Sequence, residues 1–108
     1  MKKAVLVLSG AALILMMAVV VFSAAAAGNV DAGKAVYAAQ KCKMCHSIAG
    51  EGNIKWPLDG VGKKLKADEI VKWTKTPKVM KADTTMKAYP DISQKDMDDL
   101  TAYMLSLK

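Results

Sequence analysis

Both cysteines and the single histidine of the chain fall in one run of six residues, Lys41-Cys42-Lys43-Met44-Cys45-His46. Whatever these side chains do together is done on one turn of backbone, and three chemistries compete for it. A disulfide between cysteines three apart is strained and reducible, and where that spacing serves redox chemistry it belongs to a βαβ unit. No persuasive strand appears anywhere in the chain. Zinc needs four ligands in a structural site and three protein ligands in a catalytic one. No further Cys or His exists to complete such a set, and Cys-Cys-His within six contiguous residues is not a usual zinc spacing. The third chemistry is covalent haem attachment, for which C-x-x-C-H is the specific signature. The thiols of Cys42 and Cys45, three apart on a helical turn, can each form a thioether with a vinyl edge of the porphyrin. The next residue then lies under the iron, which delivers His46 as an axial metal ligand. Elimination leaves one covalently bound haem c.

The N-terminus fits an exported protein. Met1-Lys2-Lys3 is a short positive stretch, Ala4 to Phe22 carries no charge, and Ser23-Ala24-Ala25-Ala26-Ala27 offers small residues for cleavage, the pattern of a secretory signal peptide. The apolar run is near the roughly 18 residues that a spanning helix needs, so a retained membrane anchor is the alternative. Polyalanine provides several cleavage frames and no basic stop-transfer cluster follows, which favours cleavage. Residues 1–27 are therefore read as signal peptide and 28–108 as one domain placed in the periplasm, where c-type haem is attached. About 80 residues make a small core, and a buried haem supplies an apolar body to fold around.

From Gly28 onward there are 14 Lys and no Arg against 10 Asp plus Glu, a net +4. That is too weak a charge, without Arg forks, for a nucleic-acid binder. Residues 41–87 carry a local +6 and residues 88–108 a local −2. Such a dipolar chain is expected to meet acidic partner surfaces through its lysines.

The coarse pattern is all-α. Val30, Gly33, Val36, Tyr37 and Gln40 recur at spacings of three and four and predict a first helix running into the cysteine motif. Gly33 in its middle costs roughly 1 kcal/mol relative to Ala, so something is expected to pack closely there. Gly50 to Gly62 reads as a loop, and Ala67 to Lys75 as a short helix with Asp68 and Glu69 in its first turn. Thr76-Pro77 ends that helix, and Lys78 to Pro90 reads as loop. Ser93 caps the last helix, with Asp96 at the capping-box position and an inner stripe of Met97, Leu100, Met104 and Leu107 flanked by Tyr103.

One histidine rules out a bis-histidine haem within a subunit, leaving Met, Lys or an open position as sixth ligand. Met44 lies inside the motif and cannot reach the opposite face, while Met97 and Met104 read as core. Met80 and Met86 remain, and the extended setting of Met86 before Lys87-Ala88-Tyr89-Pro90 favours it modestly.

The chain after the signal resembles the class I cytochromes c, small monohaem electron carriers of bacterial periplasms. Met86-Lys87-Ala88-Tyr89-Pro90-Asp91-Ile92-Ser93 is similar to that family's ligand loop and the cap of its C-terminal helix, and the resemblance implies that Met86 is the axial methionine. Gly33 with Tyr37, and Leu100 with Tyr103, match the family's crossing N- and C-terminal helices, which imply a cytochrome c fold with a short middle helix and loops around the haem. Two departures stand out. Lys87 replaces the usual proline after the ligand Met. The text Lys55-Trp56-Pro57-Leu58-Asp59-Gly60-Val61-Gly62 lacks the usual Gly-Pro, so the carbonyl that supports His46 is left open. Trp56 and Trp73 are read as packing residues.

A haem with both axial positions filled has no vacancy for substrate, so electron transfer is the expected function and no enzyme is expected. The carrier is expected to be a monomer, free of the membrane after signal cleavage, whose exposed haem edge is ringed by some of Lys41, Lys43, Lys55, Lys63, Lys64, Lys78 and Lys87. Two alternatives stand beside it: an open-site peroxidase or gas-binding sensor, and a membrane-anchored cytochrome subunit of a larger redox complex.

Overall fold

The computed structural model describes residues 28–108; the segment read as signal peptide lies outside the described residues. Helix α1, Val30–Ala39, starts where Asn29 caps it: the Asn29 side-chain oxygen accepts the Ala32 N–H at 2.9 Å, satisfying one of the free donors of the first turn. Helix α5, Gln94–Ser106, starts the same way, with the Ser93 hydroxyl accepting the Asp96 N–H at 3.1 Å. The two helices pack against each other and carry the core. Met97 is fully buried, joined by Leu100, Tyr103 and Met104 from α5, Val36 and Tyr37 from α1, and Ile70. Leu107, at the end of the expected stripe, is only half-buried.

Gly33 is where the helices touch. A Cβ there would overlap the Asp99 carbonyl and the Tyr103 Cβ, so the conformational cost of glycine in α1 is exchanged for close backbone-to-backbone approach of the two helices. The rings of Tyr37 and Tyr103 meet edge to face beside it, centroids 5.8 Å apart, a favoured aromatic geometry. Asp99, buried in α5, ties down the start of α1: its carboxylate accepts the Asn29 N–H at 2.9 Å and the Lys95 ammonium at 2.7 Å. These two donors, the Asn29 backbone first, hold its carboxyl below the usual carboxylate range.

Helix α3, Ala67–Lys75, matches the expected span, and its Glu69 carboxylate accepts the Lys66 N–H at 2.9 Å. Elsewhere the all-α reading is corrected. A 3-10 turn, Cys42–Met44, leads into a three-stranded sheet of order β2-β1-β3, with β1 His46–Ile48, β2 Glu51–Gly52 and β3 Trp56–Pro57. Strands of two or three residues are too short to show a period of two in sequence. The β1–β2 hairpin turns on Ala49 and Gly50, both at positive φ, 51° and 81°, the condition for a primed two-residue turn. The stretch expected to be loop from Gly50 to Gly62 thus holds two strands and the start of α2, Val61–Lys64. Likewise Pro77 opens a further short helix, α4, Pro77–Met80, because proline is preorganised for a first helical position where no N–H is needed. Only the remainder of the expected Lys78–Pro90 loop is irregular. The protein is therefore mainly helical, with a small sheet at the cysteine motif.

Candidate haem-attachment site

The motif sits where α1 ends. Gln40 caps the helix, Lys41 reverses into the left-handed region at φ 57°, and Cys42–Met44 forms the 3-10 turn. That reversal carries the chain off the helix axis and places Cys42 half-buried against the core and Cys45 exposed. The two thiols are free, and burial, the largest cause, pushes the Cys42 thiol up to about 11.

His46 begins β1, whose parallel register with β3 sets it opposite Trp56. Its Nδ1 lies 2.9 Å from the Trp56 carbonyl. A carbonyl only accepts, so Nδ1 carries the proton and Nε2 is left as the free electron pair, the form in which imidazole ligates a metal. This answers which carbonyl supports His46. Trp56 precedes Pro57, which confines it to extended backbone and so aligns that carbonyl along β3. Its indole is not packed into the core as expected: Trp56 is 44% exposed, with the Lys55 ammonium 4.4 Å from the ring centroid. Trp73 is half-buried in α3.

Sequence reading passed over Asn53. Its backbone N–H is shared between the carbonyls of Lys43 and His46, each at 3.0 Å, and its side-chain amide donates to the Met44 carbonyl at 3.2 Å. Its side-chain oxygen meanwhile accepts the Lys55 N–H at 3.0 Å. One residue outside the motif thus holds three of the motif's carbonyls and also shapes the loop leading to β3.

Met86 and Met80 are separated by setting. Met80 ends α4, whereas Met86 lies in the irregular segment 81–93, half-buried, its N–H donated to the Thr84 hydroxyl at 3.2 Å. Three residues on, Tyr89 donates its N–H to the Thr74 carbonyl at 2.9 Å and its hydroxyl to the Gln40 carbonyl at 3.2 Å. The Met86 segment is thereby fastened to the end of α1, two residues before Cys42. Tyr89 was legible only as an aromatic of the loop; its bond to a main-chain carbonyl has no signature in sequence.

The side chains present fit a covalently bound haem. Two unpaired thiols stand three residues apart on one turn, followed by an imidazole with its second nitrogen free. Half-buried apolar residues, among them Ile48, Leu58, Val61 and Leu65, border the core and offer an apolar lining. Among the described residues no group of three or more His, Cys, Asp or Glu side chains is arranged to hold a metal ion.

The profile of the cytochrome c family matches residues 30–108. Over 85 residues, 70% of this chain, the sequence is 31% identical to cytochrome c oxidase subunit 2 of Alkalihalophilus pseudofirmus, of which it spans only 25%. No solved structure gives a significant match. With the family profile covering almost every described residue and Cys42 and Cys45 at the spacing of haem attachment, the chain belongs to the cytochrome c family, a haem-based electron-transfer domain with covalently bound haem c.

Proposed function

We propose that the chain is a periplasmic one-electron carrier in which Cys42 and Cys45 form the two thioethers and His46 and Met86 are the axial ligands. The observation that carries this reading is the His46–Trp56 bond: it orients the imidazole and leaves Nε2 free, as a permanent ligand requires. Haem so ligated supplies a ferric/ferrous couple, with thioether sulfur raising the potential relative to two imidazoles. The protein's own part would be to hold both donors in place, His46 through the Trp56 carbonyl and the Met86 segment through the two bonds of Tyr89, so that little rearranges when the charge changes. With neither axial position open, bond-making chemistry has no site, which supports a carrier over an enzyme.

Partner docking is assigned to the motif face. Met44 and Ile54 are 68% and 76% exposed, with exposed Lys41, Lys43 and Lys55 beside them in sequence. An apolar centre with a cationic rim suits an acidic partner with an apolar middle, in weak and salt-sensitive encounters. The likeness to part of a cytochrome c oxidase subunit 2 supports a second reading, in which the domain serves an oxidase-type complex, anchored to the membrane if residues 1–27 are retained.

The test is spectroscopic. The ferric wild type is expected to show the weak far-red band of a sulfur-to-iron bond, lost in Met86→Ala and kept in Met80→Ala. The reverse pattern moves the ligand to Met80, and no band in the wild type replaces the carrier with the open-site haem protein. Mass spectrometry of the mature N-terminus separates the free carrier from the anchored subunit.

A further inference from the structure

Segment 81–93 has no helix or strand, and its fastening is narrow. Beyond the turn bonds inside it, both hydrogen bonds that tie residues 82–92 to other elements of the described chain start at Tyr89. One is main-chain, to Thr74 in α3. The other is the phenol hydroxyl, 3.2 Å from the Gln40 carbonyl. That carbonyl is a terminal acceptor of α1, left free by the end of the helix, and it lies two residues before Cys42. An open cleft of about 300 Å³, lined by Gln40 and residues 88–92, adjoins the bond, while Ile92, at the far end of the segment from Met86, packs against the core. Lys87, in place of a proline that would stiffen the chain, instead lays its ammonium 5.3 Å from the centre of the Tyr89 ring, within cation–π range.

We propose that Tyr89 is a positioning residue: its hydroxyl latches the Met86 segment to the attachment turn and sets how often Met86 leaves its place for an outside ligand. The inference rests on the assignment of Met86 as sixth ligand. Tyr89 touches no reacting atom; it acts by making loop opening, and with it sulfur dissociation, rare. A competing ligand binds only the opened form, so its apparent affinity scales with the opened fraction. Deleting one neutral hydrogen bond raises that fraction about two- to tenfold.

Imidazole titration of the ferric holoprotein at pH 7 reads this directly. In Tyr89→Phe, which keeps the ring, the Thr74 bond and the Lys87 contact, the apparent imidazole affinity is expected to rise about two- to tenfold. Tyr103→Phe, which deletes a phenol hydroxyl with no hydrogen bond among the described residues, is expected to leave it unchanged. In Met86→Ala, where no sulfur must be displaced, adding Tyr89→Phe is expected to change nothing further. Unchanged imidazole affinity in Tyr89→Phe overturns the latch, and it does so even if guanidinium unfolding shows the variant to be less stable, because a merely structural bond lowers stability without favouring imidazole. Retention of the far-red band in Met86→Ala overturns the ligand assignment instead, so the two failures are distinguishable.

Discussion

Replacing Gly33 by Ala sets two effects of opposite sign against each other. In a helix interior the change ordinarily stabilises by about 1 kcal/mol, since alanine loses less backbone freedom on folding. Here the added methyl would overlap the Asp99 carbonyl oxygen and carbon and the Tyr103 Cβ. The first two are backbone, and the third is the root of a side chain whose ring already rests edge-on against Tyr37. None can swing aside as the end of a flexible side chain would, so α1 and α5 must separate. Separation loosens contacts around Met97 and Leu100, both buried in that seam, and overpacking of this kind costs about 1–3 kcal/mol and sometimes more. Because the blocking atoms are rigid, the cost takes the upper part of that range and exceeds the propensity gain. The expected net loss is about 1–2 kcal/mol, read as a lower guanidinium midpoint of the holoprotein at unchanged slope. Ala35→Gly, at an exposed position of the same helix, calibrates propensity alone and is expected to lose about 1 kcal/mol. A Gly33→Ala variant as stable as the wild type, or more so, refutes the close contact.

Other substitutions probe the site and its supports. Asn53→Ala deletes the side-chain bonds to Met44 and Lys55, both exposed; holoprotein stability measured by denaturant titration is expected to fall by about 1–2 kcal/mol. Asp99 has a depressed pKa, so its contribution is complete above the unfolded carboxylate pKa of about 3.9 and fades as pH falls through the lower folded value. Asp99→Asn is expected to be uniformly less stable above about pH 5 and to show a flatter acid limb below about pH 4. The Tyr37 hydroxyl is buried without a hydrogen-bond partner among the described residues, and burial pushes it up to about 12. Tyr37→Phe is expected to be neutral or stabilising by up to about 1 kcal/mol near pH 7. The wild type's folded state resists ionisation of this phenol, so it loses stability as pH rises from about 10, the unfolded value, to about 12. The Phe variant is expected to lose less over that window, measured by thermal unfolding against pH.

Helices announced themselves where caps and periodic apolar faces coincided. Ser93 begins α5 as its capping pattern required, whereas the Asn29 cap of α1 was seen only in the fold, and the Val36–Tyr37 and Met97–Leu100 faces meet as their spacing requires. Gly33 announced a close approach because a glycine inside an otherwise regular helix is costly unless something presses on it. The sheet at the motif gave no such sign: β2 and β3 are two residues each, and their pairing depends on backbone atoms that every residue possesses. The same holds for α4: α3 does end before Pro77 as read, but the same proline also begins a further short helix. At the site, side chains that carry chemistry could be picked out by type, and Cys42, Cys45 and His46 were. The supports of the motif are the main-chain carbonyl of Trp56 and a polar Asn53 with no motif around it, and that of the Met86 segment is the Gln40 carbonyl; these become visible only when the chain is folded.

The His46 support has a consequence for how such a protein can vary. Its acceptor is the Trp56 carbonyl, so no single amino-acid replacement at position 56 deletes it. On the proposed ligation by His46, the basicity of its imidazole is thereby buffered against replacement of the residue that supplies the acceptor. What can retune it is a change in chain length between Gly52 and Trp56, which would slide β3 along β1 and hand the imidazole a different carbonyl or none. Insertions and deletions in that short connection, together with replacements of Asn53 or Pro57, which shape it, are the genetic route by which the support of His46 can drift.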